Sequence, residues 1–193
     1  MISLANTRLK FLYKFIQSPI HIGSVTPSSS FLAKKMFKNI HWDTLDTIVE
    51  LGAGTGVFTN YINQHKKAST KAIIIEKDAE MLMALQSSFP SNYFGSDAEK
   101  LAIILEKLNI SQVDCIISGL PFSNFSPALR REIMDAITGC LNPGGLFIAF
   151  QYSLQMKPML KQIFNNVDAH LEPLNIPPAF VYTCVKANGV QNY

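Results

Sequence analysis

Between Thr47 and Val57 the chain reads TIVELGAGTGV, a short apolar run that hands over to three glycines at alternate positions. This pattern predicts a buried β-strand followed by a tight turn into a helix. Glycine adopts left-handed backbone freely and lets the main chain approach a ligand, and the first turn of a helix offers N–H groups with no partner inside it. Position 57 is Val57, so the spacing departs from the dinucleotide fingerprint GxGxxG, and there is no Lys-Ser or Lys-Thr to end a longer phosphate loop. A strand–turn–helix start of this kind commits the following chain to a parallel sheet covered on both faces.

The rest of the sequence keeps to that alternation. KAIIIE (71–76) reads as a second strand, Ala79–Ser88 as a helix, Asn92–Phe94 as a weak third strand and 98–108 as a helix. VDCIISG (113–119) is a fourth strand and 127–141 a helix with Pro127 near its first turn. GGLFIAFQYS (144–153) is a fifth strand, PMLKQIF (158–164) a short helix and FVYTCVKA (180–187) a terminal strand, with an antiparallel edge expected near the C-terminus. Polar or glycine positions recur where these strands end: Glu50 to Gly56 at the first, Glu76 at the second, Asp97 after the third and Ser118-Gly119-Leu120-Pro121 at the fourth. Successive strand ends of one parallel sheet meet in one crevice, which is where such sheets bind ligands.

The region before the first strand differs in kind. Residues 1–42 carry Arg8, Lys10, Lys14, Lys34, Lys35 and Lys38 and no acid, whereas the remainder has an excess of acids. Residues 3–17 read as a helix. Ser3, Asn6, Thr7, Lys10, Lys14 and Gln17 share a narrow polar arc, and Leu4, Leu9, Phe11, Leu12, Tyr13, Phe15 and Ile16 spread over a wide apolar one. A second helix is expected over 31–40, capped by one of Ser28, Ser29 or Ser30. A basic, amphipathic start suits a polyanionic partner, either nucleic acid or an anionic lipid surface; a solvated basic face packed on an ordinary core fits the same pattern. One domain is expected over 1–193, with 1–42 as the basic segment and 43–193 as the core. At 48% hydrophobic and 16% charged residues the chain is too apolar for global disorder. No apolar run nears the roughly 18 residues of a membrane span, and no signal peptide is expected. Cys115, Cys140 and Cys184 lie apart in apolar surroundings, with neither zinc nor disulfide spacing, which fits a reducing cytoplasm.

The GxGxG turn with an acid two residues before its first glycine resembles motif I of the class I S-adenosylmethionine (SAM) methyltransferases. The resemblance implies a Rossmann-like α/β sheet with helices on both faces and SAM as cofactor, leaving S-adenosylhomocysteine, with no metal. It implies that Glu50, Gly52, Ala53, Gly54 and Gly56 cradle the amino-acid end, and that Glu76 accepts hydrogen bonds from the ribose hydroxyls. Asp97 then faces the adenine amine with Ala98 beside the ring, and Ser118, Gly119 and Leu120 lie below the methyl group. Thr26 and Lys77 complete the expected cofactor set.

For the methyl acceptor, SGLPF (118–122) resembles motif IV of the adenine-N6 methyltransferases and rRNA adenine dimethylases, in which an Asn holds the exocyclic amine and an aromatic ring stacks on the flipped base. Here the amide position is Gly119, and only Phe122 remains to stack. The dimethylases also carry a C-terminal helical domain, for which the residues after the terminal strand offer no counterpart. More of the chain is similar to the soluble bacterial phospholipid N-methyltransferases, which convert phosphatidylethanolamine to phosphatidylcholine. The similarity runs from the amphipathic first helix through Gly23–Ser29, VELGAGTGVFT (49–59), SGLPFSNFSPALRREI (118–133) and NIPPAFVY (175–182). It departs at Phe122 and Ile176, where leucine is usual. The resemblance implies an enzyme of the cytoplasm, monomeric, held reversibly at the anionic inner membrane surface by its first helix, with nucleic acid disfavoured as partner. Tyr152 and Tyr182 are candidates for placing the amine and for cation–π contact with methylated intermediates. His21 is a candidate base or phosphate contact; Arg130 and Arg131 offer a phosphate contact or simple solvation. A SAM-fold protein without catalysis that only associates with membranes is the remaining reading.

Overall fold

The computed structural model describes residues 27–188. Seven strands form one sheet: β1 (Thr47–Leu51), β2 (Lys71–Ile75), β3 (Tyr93–Gly95), β4 (Val113–Ser118), β5 (Leu141–Gln151), β6 (Asn166–Glu172) and β7 (Ala179–Val185). Their order is β3-β2-β1-β4-β5-β7-β6, parallel as far as β5 and antiparallel on both sides of β7. Among the described residues six α-helices alternate with them: α1 (Pro27–Phe37), α2 (Val57–His65), α3 (Ala79–Ser88), α4 (Leu101–Lys107), α5 (Pro127–Cys140) and α6 (Lys157–Ile163).

The central strands are apolar at nearly every position because both of their faces are covered. Val49, Leu51, Ile73, Ile116 and Phe147 point to one face and pack with Leu101 and Leu105 of α4, Ile133, Met134 and Ile137 of α5, and Leu160 of α6. Ile48, Ile74, Ile117, Ile148 and Val181 point to the other and meet Leu32, Met36 and Phe37 of α1, Phe58 and Ile62 of α2, and Leu85 of α3. Each such side chain fully buried contributes about 1.5–3 kcal/mol. Strand order reverses between β1 and β4, whose paired ends Leu51 and Ser118 open the crevice.

Several boundaries differ from those the sequence suggests. Helix α1 begins at Pro27, so Ser28, Ser29 and Ser30 fall in its first turn and not ahead of it. Strand β5 starts at Leu141, and the helix before it ends one residue earlier than expected. The terminal strand is not the edge: β7 pairs with β5 on one side and with β6 on the other, so β6 takes the edge. Its sequence, NVDAHLE, tucks only Val167 and Ala169 against the core, while Asp168 and His170 face solvent. The helix expected over 3–17 lies outside the described residues.

Candidate active site

The crevice is built from turns that brace one another. Gly52, Gly54 and Gly56 all have positive φ (74°, 55° and 84°). The Gly52 and Ala53 N–H groups both donate to the Ile75 carbonyl at the end of β2, at 2.8 and 3.2 Å. Helix α2 starts directly after Gly56 with no side-chain cap, so its first N–H groups face the crevice mouth. Across the switch point the Gly119 N–H donates to the Leu51 carbonyl at 2.8 Å. A Cβ on Gly119 would lie 2.8 Å from the Gly52 carbonyl oxygen, and one on Gly52 would lie 2.9 Å from Leu120 Cδ2. The two turns therefore touch backbone to backbone, which only glycine allows.

Glu50 is fully buried on the face covered by α2. Its Oε2 accepts a hydrogen bond from the Thr59 hydroxyl at 2.6 Å, while Oε1 has no partner. Burial raises its pKa from 4.5 to about 7; the nearby Glu76 carboxylate adds to the rise and the Thr59 bonds oppose it. A buried carboxylate with an orphaned oxygen fits a cationic ligand, and the ammonium of SAM is such a group. The linkage has a defined sign. A raised acid keeps its proton in the folded protein where the unfolded chain has lost it. Its contribution to stability is therefore full below pH 4.5 and lost as pH rises to about 7, a change on the order of 3 kcal/mol. Glu50→Gln should flatten that stretch of the melting-temperature profile, and a wild-type profile no steeper than the variant's between pH 4.5 and 7 would overturn the assignment. A cation against Oε1 favours the carboxylate, so SAM affinity should rise across the same interval.

Glu76, one residue beyond β2, is the brace of the glycine turn. Its Oε2 accepts from the Gly54 N–H at 2.7 Å and its Oε1 from the Asp78 N–H at 2.9 Å. Each oxygen keeps a second lone pair, so the carboxylate is held in place and still able to accept a hydroxyl. Lys77 beside it is exposed. Asp97 caps the short 3-10 turn Ala98–Lys100: Oδ1 accepts from the Glu99 N–H at 3.1 Å, and Oδ2 lies 3.7 Å from Lys100 Nζ. Ala98 packs on the core beside it. Ser118 is fully buried, and its hydroxyl oxygen accepts from the Leu120 N–H at 3.2 Å.

Two residues with no role expected from the sequence, and one expected in another role, hold this arrangement. Thr59, on the inner face of α2, is the partner of Glu50. Gln151, a buried polar side chain closing the apolar run LFIAF, donates from Nε2 to the Leu120 carbonyl at 2.8 Å. Arg130, expected as a phosphate contact or a solvated residue, instead donates to the Phe122 and Phe125 carbonyls at 3.0 and 3.2 Å, pinning the segment after β4. Arg131 is exposed. Of these, Gln151 alone leaves a signal in the sequence: an amide at the end of a strand whose other residues are apolar.

Two aromatic expectations are corrected. Phe122 is 1% exposed, packed against Phe125 and Phe147, so it presents no face to a base. Tyr182 is fully enclosed on the α6 side of the sheet, and its hydroxyl donates to the Ser153 carbonyl at 3.0 Å. Its ring steadies the turn after β5 and does not face the crevice. Tyr152, by contrast, is 37% exposed just past β5 and sits edge-on to Phe150 at 5.9 Å. Burial raises its pKa against the opposing bond to Asn175, so the hydroxyl stays protonated. His21 and Thr26 lie outside the described residues. Among the described residues no group of His, Cys, Asp or Glu side chains is arranged to hold a metal ion.

A seven-stranded sheet of this order with carboxylates and glycines at its switch point defines a Rossmann-like SAM-dependent methyltransferase. Residues 22–173 match the model of the family described as the methyltransferase small domain, and the chain belongs to that family. It is 31% identical over 179 residues to an ornithine lipid N-methyltransferase of Singulisphaera acidiphila, covering 90% of this chain and 93% of that protein. Among solved structures it resembles the N-methyltransferase NodS of Bradyrhizobium japonicum bound to S-adenosylhomocysteine, with a TM-score of 0.69 at 11% identity over 92% of this chain and 97% of that one. It also resembles the 16S rRNA N2 G1207 methyltransferase of T. thermophilus, with a TM-score of 0.61 at 18% identity over 86% of this chain and 45% of that one. At such identities these structures speak for the fold alone. The chain is thus an enzyme that uses SAM.

Proposed function

We propose that this methyltransferase acts on the amine of a membrane lipid headgroup, with phosphatidylethanolamine carried towards phosphatidylcholine. The observation that carries the lipid reading is the likeness, along nearly the whole chain, to a protein named for N-methylation of ornithine lipid. The phosphatidylethanolamine assignment rests on the sequence resemblance at Gly23–Ser29, SGLPF and NIPPAFVY. Ornithine lipid is the second reading, favoured by that relative.

Bound in the crevice, SAM supplies an electrophilic methyl group. The acceptor must arrive as a neutral amine. The glycine turn, Glu50 and Glu76 would hold SAM to offer that amine's lone pair a methyl group with the sulfur as leaving group, and the methylated amine would shed its extra proton to water. The stretches that end β4 and β5 and begin β7 bear no charge: residues 115–129, 146–156 and 173–185 contain no Asp, Glu, Lys, Arg or His, and Glu172 at the end of β6 accepts from the Leu174 N–H. Those stretches supply no carboxylate or imidazole base, so the described side of the site contributes placement and exclusion of water. The Tyr152 hydroxyl and the Asn175 amide are the polar groups we assign to the amine. Adenine fits less well, because Gly119 has no amide and Phe122 is enclosed. The basic first segment is proposed to hold the enzyme, as a single domain and a monomer, on the cytoplasmic membrane surface, with Lys10 and Lys14 at anionic headgroups.

Incubation with methyl-labelled SAM and vesicles containing either lipid, or with rRNA, tests the reading. Label should enter the chloroform-extractable fraction. Label in ornithine lipid vesicles alone would shift the substrate to the second reading, and label in rRNA alone would overturn both.

A further inference from the structure

Single exposed apolar side chains are ordinary on any protein surface, but here they gather. Nine large apolar side chains are exposed among the described residues, and five of them, Tyr152, Leu154, Leu171, Leu174 and Ile176, belong to the turn after β5 and the hairpin joining β6 to β7. Register places both turns at one end of the sheet. Gln151, the last residue of β5, pairs with Phe180, which pairs with Leu171 near the end of β6. That is also the end at which Ser118 closes β4, so the turns border the acceptor side of the crevice. Leu174 and Ile176 are the most exposed of the five, at 56% and 68%.

We propose that these two turns form an apolar rim that enters the interfacial layer of a lipid bilayer and presents the crevice to the headgroups. The proposal rests on the lipid reading given above. Continuity with the acceptor side is one reason for choosing a bilayer as occupant. The second is charge: residues 146–156 and 173–185 carry none, and the one acid between the rim residues, Glu172, is turned to the hairpin backbone, its Oε1 accepting from the Leu174 N–H at 3.0 Å. Attachment through burial differs from attachment through the basic first segment, because salt does not screen it.

The test uses the chain's one tryptophan as an internal control. Trp42 precedes β1, at the other end of the sheet, against Phe37 and Tyr61. Leu174→Trp adds an indole at the rim, and both proteins are mixed with vesicles of phosphatidylcholine and phosphatidylethanolamine bearing brominated acyl chains. The added indole should shift to the blue and be quenched, equally at low and high salt, with Trp42 unchanged in wild type. In co-sedimentation, Leu174→Asp with Ile176→Asp should weaken vesicle binding at least roughly tenfold. SAM affinity and a thermal melt on each variant verify the fold. Binding to vesicles without quenching would overturn the proposal. So would an added indole already blue-shifted without lipid, which would mean that residues 1–17 or a second copy of the chain cover the rim. Wild type is assayed in parallel on a monomeric short-chain lipid amine. Turnover there without quenching sinks the rim and leaves the function standing, whereas quenching without any lipid methylation sinks the function and leaves the rim.

Discussion

Glu76→Ala should weaken SAM binding by roughly 150- to 20,000-fold, the equivalent of two charge-assisted hydrogen bonds at about 1.5–3 kcal/mol each. The carboxylate braces the turn through Gly54 and Asp78 before any ligand arrives, so its loss acts twice. The acceptor expected for the ribose is removed, and the glycine turn loses the contact that fixes its shape. Glu76→Gln separates the two effects, since an amide keeps one accepting oxygen and should fall between wild type and alanine. Isothermal titration calorimetry measures the affinities, and a thermal melt shows how much of any loss comes from the turn. Unchanged affinity in the alanine variant would remove Glu76 from the cofactor site.

Gly119→Asn should abolish methyl transfer to lipid without creating transfer to adenine. Its Cβ would stand 2.8 Å from the Gly52 carbonyl and 3.7 Å from the Phe150 ring. The residue cannot retreat, because its own N–H is held by the Leu51 carbonyl at 2.8 Å. Overpacking of this kind costs about 1–3 kcal/mol, and here the strain falls on the turn expected to hold the cofactor. The melting temperature and SAM affinity should therefore drop together. Gly119→Ala carries the same Cβ without the amide and should lose activity as well, which marks the effect as steric. Full lipid turnover by either variant would show that the close approach is dispensable, and rRNA methylation gained by the asparagine variant would restore the adenine reading.

The parallel half of the fold was readable because its signals are local. TIVEL, KAIIIE and VDCIIS are too short for helices and too apolar for exposed strands, and the helices between them occur where the periodicity places them. β6 escaped because an edge strand needs only a few inward residues, and Asp168, His170 and Glu172 make it read as a loop. The same division runs through the site. Glu50, Glu76 and Asp97 could be assigned to the crevice from their places at strand ends. The roles of Thr59 and Arg130 could not, and Gln151 showed only as an amide closing an apolar strand, since each acts through a partner that only folding brings near. Tyr182 misled for a related reason: an aromatic residue on a strand reads alike whether it lines a pocket or fills a core.

The insertion of β7 between β5 and β6 gives the two halves of the crevice different histories during synthesis. The half holding Glu50, Glu76 and Asp97 is assembled from neighbours in sequence, each strand joined to the next by one helix, so it needs only short loops to close. The half that borders the acceptor waits for the final strand, because β5 has no partner on its outer side and β6 has none at all until β7 arrives. A nascent chain therefore has every strand of the first half in hand before the sheet of the second can close. Damage to the last strand would accordingly fall first on the acceptor side, through the loss of the partner of β6 and of the outer partner of β5.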